Sequence, residues 1–168
     1  MSSLSIFKIL TFTNGDNLKL LERLNYIREP NATKLDLIFG RYVSIFSPYE
    51  EMTIVKKCYM SEKNDTFRGK NFIEYIISLR DKESCYLGNF MECIKRITYW
   101  LADYKGGHYQ VISAIHLNTD NLHAHIIANN TDFMTGARFT LFKADFFSIR
   151  EYVNAVLQDN YLSGLEKK

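Results

Sequence analysis

Hydrophobic positions along the chain follow two periods, one of two residues and one of about 3.6 residues. The shorter period predicts strands and the longer one predicts helices. Strands are predicted at residues 4–13, 35–44, 72–79, 109–116 and 122–129, with a short further strand near 138–141. Helices are predicted at residues 16–28, 47–60, 89–104 and 143–158.

Turn and cap residues support these boundaries. Asp16 can cap the first helix, and Pro48 is suited to the first turn of the second. The four polar residues 118–121 lie between two strands and predict an antiparallel hairpin. Because helices alternate with these strands, the predicted fold class is α+β, with a central antiparallel or mixed sheet flanked by helices.

Composition narrows the class of protein. A chain of 168 residues with 46% hydrophobic and 24% charged residues is typical of one globular domain with a single core. We find no apolar run near the roughly 20 residues of a membrane span and no signal-peptide pattern. Three cysteines without metal-site spacing indicate a reducing compartment. The net charge of +2 is compatible with nucleic-acid binding but does not argue for it.

Three of the four histidines lie within ten residues, in the segment HLNTDNLHAH. His123 and His125 are two residues apart, so they share one face of a strand. If residues 118–121 form the turn, His116 lies opposite His123 and diagonal to His125. Three neutral imidazoles that converge on a divalent ion leave its other positions open for water and phosphate oxygens. The sequence therefore predicts a metal site on this hairpin.

The residues around the three histidines do not decide which metal would bind. Three histidines also suit catalytic Zn²⁺. Asp120 lies in the predicted turn, where it either forms the turn or accepts a hydrogen bond from an imidazole. His108 is eight residues before His116, which is about 26 Å along a strand. We therefore exclude His108 from the cluster and expect it to be structural.

The histidine cluster lies in a longer segment, GHYQVISAIHLNTDNLHAHIIAN, which resembles the metal motif of conjugative relaxases. These mobilization nucleases belong to the HUH endonuclease superfamily, and the resemblance is closest to its MobA-type branch. His123 and His125 match the histidine–apolar–histidine element, and His116 matches the third ligand. A second segment, LLERLNYIREPNATK, places Tyr26 near the end of a predicted helix and resembles the nucleophile motif of these enzymes.

The resemblance implies a relaxase fold and a site-specific single-strand DNA endonuclease that also rejoins the strand. It implies that Tyr26 forms a 5′-phosphotyrosyl intermediate, and that the three histidines hold Mg²⁺ or Mn²⁺, with Zn²⁺ as the alternative. The expected partners are single-stranded DNA at a transfer origin, accessory relaxosome proteins and a coupling protein. No membrane association is expected, and the expected location is the bacterial cytoplasm.

Four further positions belong to this interpretation. Relaxases commonly have an aspartate two residues after the first histidine, where this chain has Asn118. Glu74 lies where the family often has a histidine; we read it first as a surface glutamate on an edge strand, and second as an acid near the metal. Arg138 and Lys143 follow the hairpin and are the preferred candidates for DNA phosphate contacts.

Other functions stay open at this point. A rolling-circle replication initiator or single-strand transposase would place its tyrosine after the histidines, as Tyr152 is, but the lysine expected one turn away is absent. A non-catalytic DNA-binding module would keep the fold alone, and an unrelated zinc hydrolase would need only the histidines. The order of Tyr26 before the histidines favours the relaxase. We expect one relaxase domain over residues 1–168, either a compact enzyme or the amino-terminal part of a longer protein.

Overall fold

A computed structural model describes residues 5–13, 17–59, 70–80, 83 and 85–166. Its strands are β1 (Ile6–Thr13), β2 (Ile38–Arg41), β3 (Lys70–Ser78), β4 (Tyr109–His116) and β5 (His123–Asp132). Its helices are α1 (Asn17–Ile27), α2 (Pro48–Cys58), α3 (Leu87–Ala102) and α4 (Lys143–Asp159). The predicted cap Asp16 lies outside the described residues. None of the described helices is long and apolar enough to cross a bilayer.

The strands form one sheet with the order β1-β3-β5-β4-β2. All neighbouring pairs in this sheet are antiparallel. The order places β5 in the centre, with β3 and β4 beside it and β1 and β2 at the edges. The predicted α+β class is confirmed, and of the two sheet types considered the antiparallel one is present.

The sheet face under α3 and α4 is an apolar core. Alternate residues of the central strands point into it, and the helices pack on them. Its fully buried members include Ile115, Ala124, Ile126, Ile97 and Val153. Removing such side chains from water, at about 25 cal/mol per Å² of apolar surface, is the main force that holds this layer.

The opposite face lies under α1 and α2 and is only partly covered. Leu20, Leu24 and Ile27 of α1 are spaced four and three residues apart, so they form one stripe, and all are fully buried against the sheet. At the edge strand β1, Ile6 and Leu10 stay about 40% exposed. This incomplete cover leaves part of the sheet surface open beside α1.

Two predicted strands differ from the structure. The strand at 35–44 is reduced to β2, because a 3₁₀ turn precedes it and Tyr42 adopts a left-handed conformation (φ 59°) directly after it. The strand near 138–141 is reduced to one bridge between Thr131 and Arg138. Since β3 and β4 already pair with β5 on both sides, only the last residues of β5 have a free edge.

Candidate active site

The three clustered histidines meet on the face under α1. His116 pairs with His123 across the hairpin, which confirms the predicted register. His125 lies diagonal to His116, and the ring centroids are 4.7 to 5.2 Å apart. One ring nitrogen from each histidine lies within 4.8 Å of the others. This spacing suits three ligands to one metal ion, so these residues can hold one.

Hydrogen bonds fix the proton on two of the rings. Nε2 of His116 lies 3.0 Å from the carbonyl oxygen of Ile27, the last residue of α1. Nδ1 of His125 lies 2.8 Å from Oε1 of Glu74. Both oxygens can only accept a hydrogen bond, so the ring nitrogen that faces each of them carries the proton and donates. The second nitrogen of each ring therefore keeps its lone pair. Nδ1 of His116 and Nε2 of His125 are therefore the atoms available to a metal.

His123 is oriented by the hairpin turn. Its Nδ1 lies 3.1 Å from the carbonyl oxygen of Asn121 and 3.1 Å from the hydroxyl of Thr119. The Thr119 hydroxyl donates to the same carbonyl, so its oxygen is free to accept from the ring. Asp120 is exposed in this turn. A role for its carboxylate toward an imidazole stays a prediction.

The environment keeps His116 and His123 neutral. Burial lowers the pKa of His116 to about 4; the neighbouring His125 and His123 add to this effect, and the hydrogen bond to Ile27 opposes it. Burial also lowers the pKa of His123. At neutral pH both rings therefore offer lone pairs, which metal coordination requires.

Glu74 corrects one expectation from the sequence. Its side chain is fully buried on β3, an interior strand, so the interpretation as a surface glutamate on an edge strand is wrong. The reason is that β1 pairs with the outer side of β3. Besides His125, the carboxylate binds Arg23, whose Nε and Nη2 lie 2.8 and 2.6 Å from its two oxygens. Burial raises the pKa of Glu74, but the hydrogen bonds from His125 and Arg23 outweigh it and lower the pKa.

Tyr26 lies in the last turn of α1, directly beside the histidines. Its ring meets His125 and His116 edge-on, with centroids 5.3 and 5.4 Å away. The guanidinium carbon of Arg23 lies 4.4 Å from the centre of the same ring. Tyr26 is 43% exposed, so a substrate can reach it from solvent. The structure thus brings the predicted nucleophile and the predicted metal ligands into one site.

Comparison with known families identifies the chain. The model of the MobA/VirD2-like relaxase nuclease domain matches residues 26–162, which is most of the chain. The chain belongs to this relaxase family. Membership confirms the sequence-based prediction of a relaxase, a single-strand DNA nicking enzyme.

Solved structures show the same fold for this relaxase. The MobM relaxase domain bound to plasmid oriT DNA, Mn-bound at pH 6.8, has a TM-score of 0.68 and 12% identity over 99% of this chain and 91% of that one. MobM bound to 26-nucleotide oriT DNA has a TM-score of 0.64 and 15% identity over 98% and 90%. A structure from work on vancomycin resistance transfer in Staphylococcus aureus has a TM-score of 0.64 and 14% identity over 99% of each chain. A search of curated protein sequences found no match.

Two other candidate residues lie away from the three clustered histidines. Tyr152 is on α4, where its ring stacks on Trp100 at 4.0 Å with an interplanar angle of 7°. Both rings pack against the core on the opposite face of the sheet, which separates Tyr152 from the histidines. His108 also lies apart, since its backbone N–H donates to Asp132 at the far end of β5.

The two predicted DNA contacts are also distant from the histidines. Arg138 bridges to Thr131, six residues beyond His125 and so about 20 Å along the strand. Lys143 begins α4, the helix on the opposite face. Both side chains are exposed, and contact with DNA at these positions stays a prediction.

Sequence reasoning missed Arg23, which joins Tyr26 to Glu74. One signal was available, because residues three apart on a helix lie on the same face and Arg23 precedes Tyr26 by three. The burial of Glu74 had no such signal, since it depends on which strand pairs with β3.

Proposed function

We propose that this relaxase cuts one DNA strand at a transfer origin with Tyr26 as the nucleophile and a divalent ion held by His116, His123 and His125. The observation that carries this proposal is the contact of Tyr26 with two of these histidines at ring distances of 5.3 and 5.4 Å. MobM is Mn-bound in its crystal structure with oriT DNA. We therefore propose Mn²⁺ or Mg²⁺ as the ion, with Zn²⁺ as the alternative.

The donor atoms fit such an ion. Nδ1 of His116 and Nε2 of His125 are buried and have no hydrogen-bond partner within the described part of the chain. An unsatisfied buried polar atom costs about 1–3 kcal/mol, so a cation at this point would relieve both atoms. When bound, the ion would draw negative charge from a phosphate oxygen and stabilise the transition state.

The residues of the chain account for the covalent step. The Tyr26 oxygen attacks the scissile phosphorus, and the bond from phosphorus to the 3′-oxygen breaks. The phenol loses one proton and the 3′-oxygen gains one, so no co-reactant is needed. The new phosphotyrosyl bond is itself a phosphodiester, so attack by the 3′-hydroxyl reverses the step and reseals the strand.

We also propose that the DNA is single-stranded at the cleavage site and that the chain acts in the bacterial cytoplasm, together with accessory relaxosome proteins and a coupling protein. Membership in the relaxase family supports these partners. The exposure of Tyr26 supports a strand that approaches from solvent. The open surface of β1 next to α1 offers room for that strand.

Covalent trapping tests this function. The purified chain is incubated with Mn²⁺ and a random-sequence pool of single-stranded oligonucleotides with a 3′ label, and labelled protein is separated by denaturing electrophoresis. We expect a labelled adduct from the wild type and from Tyr152→Phe, but not from Tyr26→Phe. Sequencing the trapped DNA then gives the sequence preference on the 3′ side of the cut.

Two outcomes would contradict the proposal. An adduct that survives in Tyr26→Phe and disappears in Tyr152→Phe would favour a replication initiator. Failure of the wild type to cleave or trap DNA with Mn²⁺, Mg²⁺ and Zn²⁺ would indicate a non-catalytic DNA-binding module.

A further inference from the structure

The Arg23 side chain lies between Glu74 and Tyr26. On one side its Nε and Nη2 donate to both oxygens of Glu74. On the other side its guanidinium faces the ring of Tyr26 at 4.4 Å. Only 22% of the side chain is exposed. Arg23 therefore contacts the proposed nucleophile and, through one carboxylate, a proposed metal ligand.

The fork between Arg23 and Glu74 restricts the guanidinium strongly. Two parallel N–H···O bonds fix both the position and the plane of the group. Glu74 is fully buried on an interior strand, and its Oε1 also accepts from His125. The guanidinium plane is thus tied to an interior strand of the sheet.

Tyr26 needs support of this kind. Nearly half of its surface is exposed, and the histidines touch it only along ring edges. Exposed side chains change rotamer on the picosecond to nanosecond scale, so burial alone does not hold this ring. A misplacement of a reacting group by about 1 Å can cost about 100-fold in rate.

We propose that Arg23 is a positioning residue that holds the Tyr26 ring over the histidines and links it through Glu74 to His125. The proposal rests on the proposed role of Tyr26 as nucleophile. Its consequence is that the nucleophile and the metal ligands keep one relative geometry, because a single chain of contacts joins them. Arg23 itself carries out no bond-forming step.

Arg23→Lys is the informative variant. Lysine keeps a positive charge near Glu74, which protects folding, but it has neither the fork nor a flat surface for the ring. The matched control is Arg28→Lys, since Arg28 lies just after the same helix and donates to the carbonyls of Leu24 and Ile45. Single-turnover adduct formation is measured at saturating Mn²⁺ and at increasing concentrations of single-stranded DNA up to saturation. Mn²⁺ affinity is measured separately by electron paramagnetic resonance of the free ion.

We expect the saturated rate of Arg23→Lys to fall by about 10- to 100-fold, with a smaller change in the DNA concentration that gives half of this rate. Mn²⁺ affinity should stay near that of the wild type. In ring-labelled tyrosine NMR of the free protein, the Tyr26 signal, assigned with Tyr26→Phe, should shift in Arg23→Lys. The control Arg28→Lys should leave the rate and this signal unchanged.

A wild-type rate in Arg23→Lys, or an unshifted Tyr26 signal, would overturn the positioning role while the proposed function stands. A rate loss that only parallels loss of Mn²⁺ affinity would also overturn it, because Arg23 would then act on the metal site alone. If the wild type itself forms no adduct, the proposed function fails first and this inference falls with it.

Discussion

The two faces of the sheet use the same strands for different purposes. In β5, Ala124 and Ile126 are buried in the apolar core under α3 and α4. Their neighbours His123 and His125 lie on the other face and join the histidine cluster, which could hold a metal ion. Because adjacent residues of a strand point to opposite faces, one strand builds the core with one set of side chains and the site with the other.

The two faces also contain different kinds of buried polar group. In the first turn of α4, the carboxylate of Asp145 accepts a hydrogen bond from the Tyr104 hydroxyl and pairs with the Lys105 ammonium. On the site face, His116 and His125 each keep one buried ring nitrogen without a partner among the described residues. Leaving these two nitrogens unpaired costs stability and keeps them available to a metal.

The largest expected effect comes from substituting neighbouring residues of β5 that lie on opposite faces of the sheet. His125→Ala removes a proposed ligand, so we expect Mn²⁺ affinity to fall by more than the roughly 10- to 100-fold seen when a ligand only loses its hydrogen-bond partner. Ile126→Val, the control on the opposite face, should cost about 0.5–1.5 kcal/mol of stability and leave Mn²⁺ affinity unchanged. Electron paramagnetic resonance of the free Mn²⁺ ion measures the change in affinity. Thermal melting measures the change in stability. Equal Mn²⁺ affinity in His125→Ala and the wild type would contradict the proposed ligand set.

Buried carboxylates on the two faces give the second test. Glu74→Gln removes the charge that orients His125, so Mn²⁺ affinity should fall by about 10- to 100-fold. Asp145→Asn disturbs a carboxylate that is equally buried on the other face, and it should lower the melting temperature without changing Mn²⁺ affinity. Calorimetric titration with Mn²⁺ distinguishes them. Similar affinity losses in both variants would mean that the faces are not independent.

The third test uses Lys56, on α2, and measures how the free energy of unfolding depends on pH. Burial, together with the charge of Arg138, lowers its pKa from 10.5 to about 7. Between these values the unfolded chain binds the extra proton, so this group makes wild-type stability rise with pH. We expect Lys56→Met to raise the free energy of unfolding below pH 7 by about 1–3 kcal/mol, with a gain that shrinks toward pH 10.5.

Urea unfolding at several pH values measures the effect of Lys56→Met. The control is Lys57→Met, because Lys57 is the exposed neighbour on the same helix and should change little. An unchanged pH slope in Lys56→Met would show that the buried lysine is not the source of the slope.

The smallest expected effect is at the hairpin turn. Thr119→Val removes one of two groups that orient His123, and the Asn121 carbonyl remains, so Mn²⁺ affinity should fall only about two- to fivefold. Thr98→Val, in the apolar core, should leave Mn²⁺ affinity unchanged. A loss in Thr119→Val as large as that of Glu74→Gln would show that the turn, rather than the sheet, dominates the orientation of the ligands.

Local features of the sequence were enough to predict most helices and strands and the arrangement of the histidines. The period of hydrophobic residues predicted the four α-helices of the described residues and the main strands, because helix and strand faces repeat over a few residues. The hairpin register followed from a short turn, so the relative positions of His116, His123 and His125 were predictable from local spacing alone. The relaxase resemblance was carried by the same segment and by Tyr26, and the family match confirms it.

Only the tertiary structure decided the surroundings of these residues. Glu74 is buried because β1, far away in the sequence, pairs with the outer side of β3. That pairing gives Arg23 a fixed carboxylate to bind, and so connects Tyr26 to the sheet. Strand order and helix docking depend on the packing of distant segments, which a local period does not record. The sequence alone therefore predicted that the three histidines and Tyr26 belong to one site, and the long-range packing decided how they are held.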